Sequence, residues 1–197
     1  MKLYFVRHGE SKANIEDRFS TPEVELSDKG IEDAKRVGKM IAHIKFDKVL
    51  TSPYTRAMQT QKYAMEGVEA EVVDLLHECE CGSLEGGLYK EWHEKYGADF
   101  IYRNEVDDFT AYGGENYEQM RKRARDFMAY LDTLCCETVV AFSHAGFILT
   151  FFDEVMKREG KVGRNIHCFN GSVSVFEKSE SGEWYVCAFN VTSSLFN

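Results

Sequence analysis

Three short apolar runs, Leu3-Tyr4-Phe5-Val6, Val49-Leu50 and Val139-Val140-Ala141-Phe142, each give way to polar residues and then to a segment of helical periodicity. That alternation constrains the fold more than any other feature. Side chains that are apolar or β-favouring at successive positions, in runs too short for a helix, read as strands covered on both faces. Strands of this kind separated by helices become parallel neighbours in one sheet.

The rest of the chain fits the same rhythm. Ser27-Asp28 caps a helix whose apolar positions Ile31, Ala34, Val37, Ile41 and Ile44 recur at helical spacing to about residue 45. A buried strand at 48–51 follows, and Ser52-Pro53 opens a second helix, with Pro53 near its first turn where a missing N–H costs little. A strand is expected at 71–75, a glycine-bearing loop at 76–87, a short helix near 88–96 and an irregular aromatic stretch to about 114. A long helix at 116–133 leads to the strand at 138–142 and a further helix. Strands at 172–177 and 184–191 flank Ser179-Glu180-Ser181-Gly182-Glu183 as a hairpin. The expected architecture is an α/β three-layer sandwich: a mostly parallel central sheet, helices on both faces and a C-terminal antiparallel hairpin, all within a single domain over 1–197.

With 197 residues, 44% of them hydrophobic, the chain can bury one substantial core. It has no apolar stretch long enough to span a bilayer, and its N-terminus runs directly into a strand without a signal-peptide pattern, so a cytoplasmic protein without membrane contact is expected. Six cysteines include the adjacent pair Cys135-Cys136 and Cys79-x-Cys81, spacings that suit reduced thiols better than a disulfide framework. The net charge of -9, from 33 acids and 24 bases, comes without a basic stripe and argues against nucleic acid. It also means that any anion site must be built from local cations acting within about a Debye length, ~8 Å. Arg7 and Arg56 are the candidates.

Polar groups follow three of the strands: His8 after the first, Ser52 to Arg56 after the second, His144 after the strand at 138–142. In an open parallel sheet, strand carboxyl ends converge on one crevice. Two imidazoles and two guanidiniums there suit a phosphoryl group, because guanidinium forks match its oxygens two at a time. The helix start at His144-Ala145-Gly146 adds backbone N–H donors, and a neutral imidazole can attack phosphorus. Each residue also has a plainer reading: Arg7 paired with Glu10, Arg56 with a surface acid, His144 satisfied by backbone carbonyls.

Seven motifs in order carry a family resemblance: Arg7-His8-Gly9-Glu10-Ser11 with Asn14 and Arg18; Leu26-Ser27-x-x-Gly30 with Ala34; Thr51-Ser52-Pro53-x-x-Arg56-Ala57-x-Gln59-Thr60; Glu78-x-x-x-Gly82-x-x-Glu85-Gly86; Gly113-Gly114-Glu115; Ser143-His144-Ala145-Gly146; and Asn170-x-Ser172-Val173. Together they resemble the histidine phosphatase superfamily, the group of cofactor-dependent phosphoglycerate mutases and small bacterial broad-specificity phosphatases. The resemblance implies that His8 is the nucleophile, that Arg7, Arg56 and His144 surround the transferred phosphoryl group, and that Asn14 donates a further hydrogen bond. It implies that Glu78 is the proton donor, in a lid-like insertion at about 76–114. It calls for no metal and no cofactor. A zinc reading of Cys79-x-Cys81 with His77 and His93 fails on its short spacing.

Mutases of the family carry clustered basic residues in a longer insertion. Here Lys90, Lys95 and Arg103 stand among six acids between 88 and 112, and the chain ends six residues after the strand at 184–191. An open site hydrolysing small phosphate esters is therefore expected; the alternatives are a phosphoglycerate-type phosphomutase and a phosphate-ester-binding module without turnover. Tyr89, Trp92, Tyr96, Phe100, Tyr102, Phe109 and Tyr112 either receive an aromatic leaving group or pack the insertion onto the domain.

Overall fold

The computed structural model describes residues 1–157 and 166–193. Along the chain its regular elements are β1 (Lys2–Arg7), α1 (Lys12–Glu16), α2 (Asp28–Ile41), β2 (Lys48–Thr51), α3 (Thr55–Ala64), β3 (Glu71–Val72), α4 (Tyr89–Val106), α5 (Tyr117–Asp132), β4 (Thr138–Ser143), α6 (Ala145–Val155), β5 (Val173–Lys178) and β6 (Trp184–Val191). The six strands form one sheet in the order β3-β2-β4-β1-β5-β6. The first four in that order are parallel neighbours, and β5 and β6 complete it as antiparallel strands. The expected α/β sandwich with its terminal hairpin is thus present.

Side chains alternate across a strand, so β1 feeds two cores. Leu3 and Phe5, with Val139 and Ala141 of β4, pack beneath Ala124, Phe127 and Leu131 of α5 and Phe147, Ile148 and Phe151 of α6. Tyr4 and Val6, with Val140 and Phe142, pack against Val37, Met40 and Ile41 of α2. The Phe5 ring meets those of Phe127, Phe147, Phe151 and Phe176 at centroid distances of 5.0–6.1 Å. Deleting such a ring costs about 3–5 kcal/mol. A third cluster stands apart from both: Leu84, Phe100 and Phe109 are buried among Phe19, Tyr89, Trp92, Tyr96 and Tyr112.

Four boundaries differ from the sequence expectation. Helix α2 stops at Ile41 rather than near 45, because the chain turns there toward β2; Ile44 still packs on the core from that turn. Pro53 precedes α3, whose cap is Tyr54. The strand expected at 71–75 is only Glu71–Val72, since the 3-10 turn Asp74–Leu76 swings Leu76 into the core. Helix α4 runs to Val106, through a kink at Gly97 whose backbone (φ 55°, ψ -132°) is open to glycine and strained for other residues. Among the described residues no helix is long and apolar enough to cross a membrane.

Candidate active site

The parallel pairing of β1 with β4 sets Arg7 beside Ser143, so His8 and His144 leave the sheet side by side. Their rings lie 5.2 Å apart. The backbone N–H of His8 donates to Ser143 O at 3.0 Å, and its carbonyl accepts from Gly171 N at 3.1 Å and from Asn170 Nδ2 at 3.2 Å. Strand β2, on the far side of β4, delivers Ser52 and, in the first turn of α3, Arg56.

A hydrogen bond fixes the tautomer of His8. His8 Nδ1 lies 2.7 Å from Gly9 O, an acceptor only, so Nδ1 carries the proton and the Nε2 lone pair points into the site. Arg56 Nε–H donates to that Nε2 at 3.3 Å. Ser52 Oγ accepts from Tyr54 N at 3.2 Å and shares a hydrogen bond with His144 Nε2 at 2.8 Å. His144 Nδ1 is a buried atom with no partner among the described residues. Burial, followed by the charge of Arg56, pushes both imidazoles well below their ordinary pKa and keeps them neutral.

Arg56 is 1% exposed; besides His8 it donates from Nη1 to Thr21 O at 3.0 Å. Arg7 donates from Nη1 to Cys168 O, and its buried Nε has no partner among the described residues. Burial lowers both guanidinium pKa values from their usual range. Two buried cations are costly without an anion, and the nearby carboxylate of Glu78 offsets only part of their charge. The plainer readings are therefore corrected: Glu10 pairs with Lys29 rather than Arg7, Arg56 is buried away from any surface acid, and His144 meets Ser52 Oγ rather than backbone carbonyls.

The site opens on a cavity of about 280 Å³ lined by Arg7, His8, Asn14, Arg56, Glu78 and Gly146, with Asp17, Arg18, Phe19, Cys79, Tyr89, Asp107 and others around them; His144 and Ser52 are not among its lining residues. Asn14 Oδ1 accepts from Ser11 N and Asn170 Nδ2, so its Nδ2 is the atom left to donate. Glu78 accepts from Cys79 N at 2.9 Å and from Gly146 N at 3.3 Å. The α6 N–H expected to meet phosphate thus meets the Glu78 carboxylate instead, and Ala145 does not line the cavity.

Comparisons with known proteins identify the family. The family model for the histidine phosphatase superfamily, branch 1, matches residues 3–192. The chain belongs to that superfamily. Among curated relatives it is 30% identical to an adenosylcobalamin/alpha-ribazole phosphatase of Salmonella typhimurium over 156 residues, 75% of this chain and 76% of that protein. It is 36% identical to a 2,3-bisphosphoglycerate-dependent phosphoglycerate mutase of Lactobacillus johnsonii, over 51% of this chain and 47% of the mutase, so it spans about half of that relative's length. The alpha-ribazole phosphatase structure from Shigella flexneri superposes with a TM-score of 0.88 at 19% identity, each chain covered completely, which speaks to fold.

As a histidine phosphatase superfamily member, the chain places most of its expected rings in packing rather than recognition. Phe100 and Phe109 are buried, Trp92 donates to Leu84 O at 2.9 Å, and Tyr96 stacks on Trp92. Of the seven, Tyr89 alone lines the cavity, joined by Phe19, which stacks on it at 5.4 Å. Sequence reasoning missed Phe19, and it missed Arg123, whose five donors all converge below Glu78. Of the three arginines in α5, Arg123 alone falls in the apolar stripe of Met120, Ala124, Phe127 and Leu131, which is the available sign that it points inward.

Proposed function

We propose that this chain is a phosphomonoesterase that hydrolyses small phosphate esters through a phosphohistidine on His8, with the 76–114 segment as its lid. The observation that carries the reading is the neutral His8, its unprotonated Nε2 turned to the site with the buried Arg56 guanidinium at 3.3 Å and the charge of Arg7 nearby. In the first step that lone pair forms the N–P bond as the ester P–O bond breaks, and the Glu78 carboxyl gives its proton to the departing oxygen. Arg7, Arg56, His144 and Asn14 Nδ2 hold the phosphoryl oxygens, so positive charge comes from the protein itself. In the second step water attacks phosphorus, the N–P pair returns to Nε2, and Glu78 takes the water proton. The sum is ester plus water to alcohol plus phosphate.

Two observations favour hydrolysis over mutase chemistry. No lysine lines the cavity, and Arg18 at its edge pairs with Glu16 and donates to Gly86 O, while Asp17 and Asp107 stand beside it, so a substrate carrying a second anion is poorly received. Lys95 lies over the Trp92 and Tyr96 rings and Arg103 pairs with Asp99 and Asp108. The deciding experiment is p-nitrophenyl phosphate hydrolysis at pH 5–8 with excess EDTA, comparing wild type with His8→Ala. Turnover in EDTA that vanishes in the variant, with acid-labile phosphate trapped on wild type alone, is expected; no turnover by wild type, or turnover surviving in His8→Ala, overturns the proposal.

A further inference from the structure

Glu78 sits on a segment with no ladder to hold it, between the 3-10 turns Asp74–Leu76 and Gly82–Leu84. The backbone of that segment is gripped by two side chains. Arg123 of α5, 7% exposed, uses all five of its N–H donors: Nη1 reaches Leu75 O at 3.1 Å and His77 O at 2.6 Å, and Nη2 reaches Glu78 O at 3.4 Å. Nε and Nη2 make a bidentate pair with the Glu115 carboxylate at 3.1 and 2.7 Å. Glu115 Oε2 in turn accepts from Glu80 N at 3.1 Å, and its own N–H donates to Glu80 O at 2.8 Å. Gly114 permits this approach, since a Cβ there would collide with Glu80 O. The Arg123 guanidinium also lies 5.1 Å from the centre of the Phe147 ring, next in chain to the Gly146 whose N–H meets Glu78.

We infer that Arg123 and Glu115 are positioning residues for Glu78, a single buried ion pair that clips residues 75–80 and fixes where the carboxyl stands in the cavity. The inference rests on the proposed role of Glu78 as acid. A purely structural pair would affect all substrates alike; a pair that aims an acid matters only where the leaving oxygen needs a proton. A guanidinium fork is also specific, since lysine keeps the charge and loses the planar set of five donors.

The test measures kcat/KM for propyl phosphate and p-nitrophenyl phosphate in wild type, Arg123→Lys, Glu115→Gln, Glu78→Gln and the Arg123→Lys/Glu78→Gln double variant. Arg123→Lys is expected to lose at least ~10-fold more on the alkyl ester than on the nitrophenyl ester, and to lose nothing further on the alkyl ester once Glu78 is glutamine. Glu115→Gln, which keeps the shape of the pair, carries the same expectation if Arg123→Lys does not fold. Equal losses on both esters, or full additivity in the double variant, overturn the inference. A Glu78→Gln variant indifferent to the leaving group overturns the acid assignment and the inference with it, whereas a selective Glu78→Gln beside an unselective Arg123→Lys overturns the positioning role alone.

Discussion

His8 and Glu78 line one cavity, yet they are held by opposite means. The floor, where His8 stands, is the end of a ladder: main-chain bonds to Ser143 and Gly171 hold its backbone, and its side chain is 3% exposed. The roof, where Glu78 stands, has no strand partner, and its place depends on Arg123, Glu115 and the N–H of Gly146 in the first turn of α6. A floor made by strand register tolerates no adjustment, which suits a nucleophile and the cations around it. A roof made by a few side chains can be retuned without disturbing the sheet.

The largest expected effect sharpens that contrast at the roof. Glu78→Gln keeps the size of the side chain and one oxygen to accept from Cys79 N or Gly146 N, but removes the transferable proton, and it should lower kcat for alkyl phosphates by ~10^2 to 10^4. With p-nitrophenol as leaving group little protonation is needed, and the penalty shrinks. Equal penalties in a steady-state comparison would mean that the roof contributes shape and no proton.

At the floor, Arg56→Ala removes the donor that faces His8 Nε2 and should cost on the order of 10^2 to 10^3 in kcat/KM. Here the penalty is the same for alkyl and nitrophenyl esters, because charge on the transferred phosphoryl group is common to both. A leaving-group-dependent loss in Arg56→Ala would break the division between floor and roof.

The same division explains what the sequence discloses. Floor residues follow strands in chain order, so a short motif after an apolar run locates His8, Arg56 and His144 without any knowledge of packing. The roof is assembled from distant pieces: Arg123 is 45 residues from Glu78, and although its place in the stripe of Met120, Ala124, Phe127 and Leu131 marks it as inward, unlike Arg121 and Arg125, which pair with Glu154, nothing in α5 says which loop it meets. Gly146 is expected to donate to phosphate because helix N-termini favour anions, and in this structure its N–H meets the Glu78 carboxylate from the roof. Helix α4 was cut short at residue 96 for a similar reason: its apolar side chains serve a small cluster that closes around Phe19 rather than a stripe facing the sheet.

The smallest expected effect concerns stability and belongs to the floor. His8 and His144 are neutral in the folded protein because burial holds their pKa values well below 6.5, whereas in the unfolded chain both take up a proton near that pH. Below about pH 6.5 the unfolded state therefore binds more protons, and folding stability falls as pH falls, by up to ~1.4 kcal/mol per pH unit for each imidazole; above that pH neither contributes. The carboxylates held low by partners, such as Glu10 beside Lys29 and Asp47 under the Thr138 N–H, titrate below this window and leave it to the histidines. Urea denaturation between pH 7.5 and 5 should show the decline in wild type and in Glu78→Gln, and about half the histidine contribution in His144→Gln. A slope unchanged in His144→Gln but flattened in Glu78→Gln would move the acid-sensitive group from floor to roof and reverse the comparison.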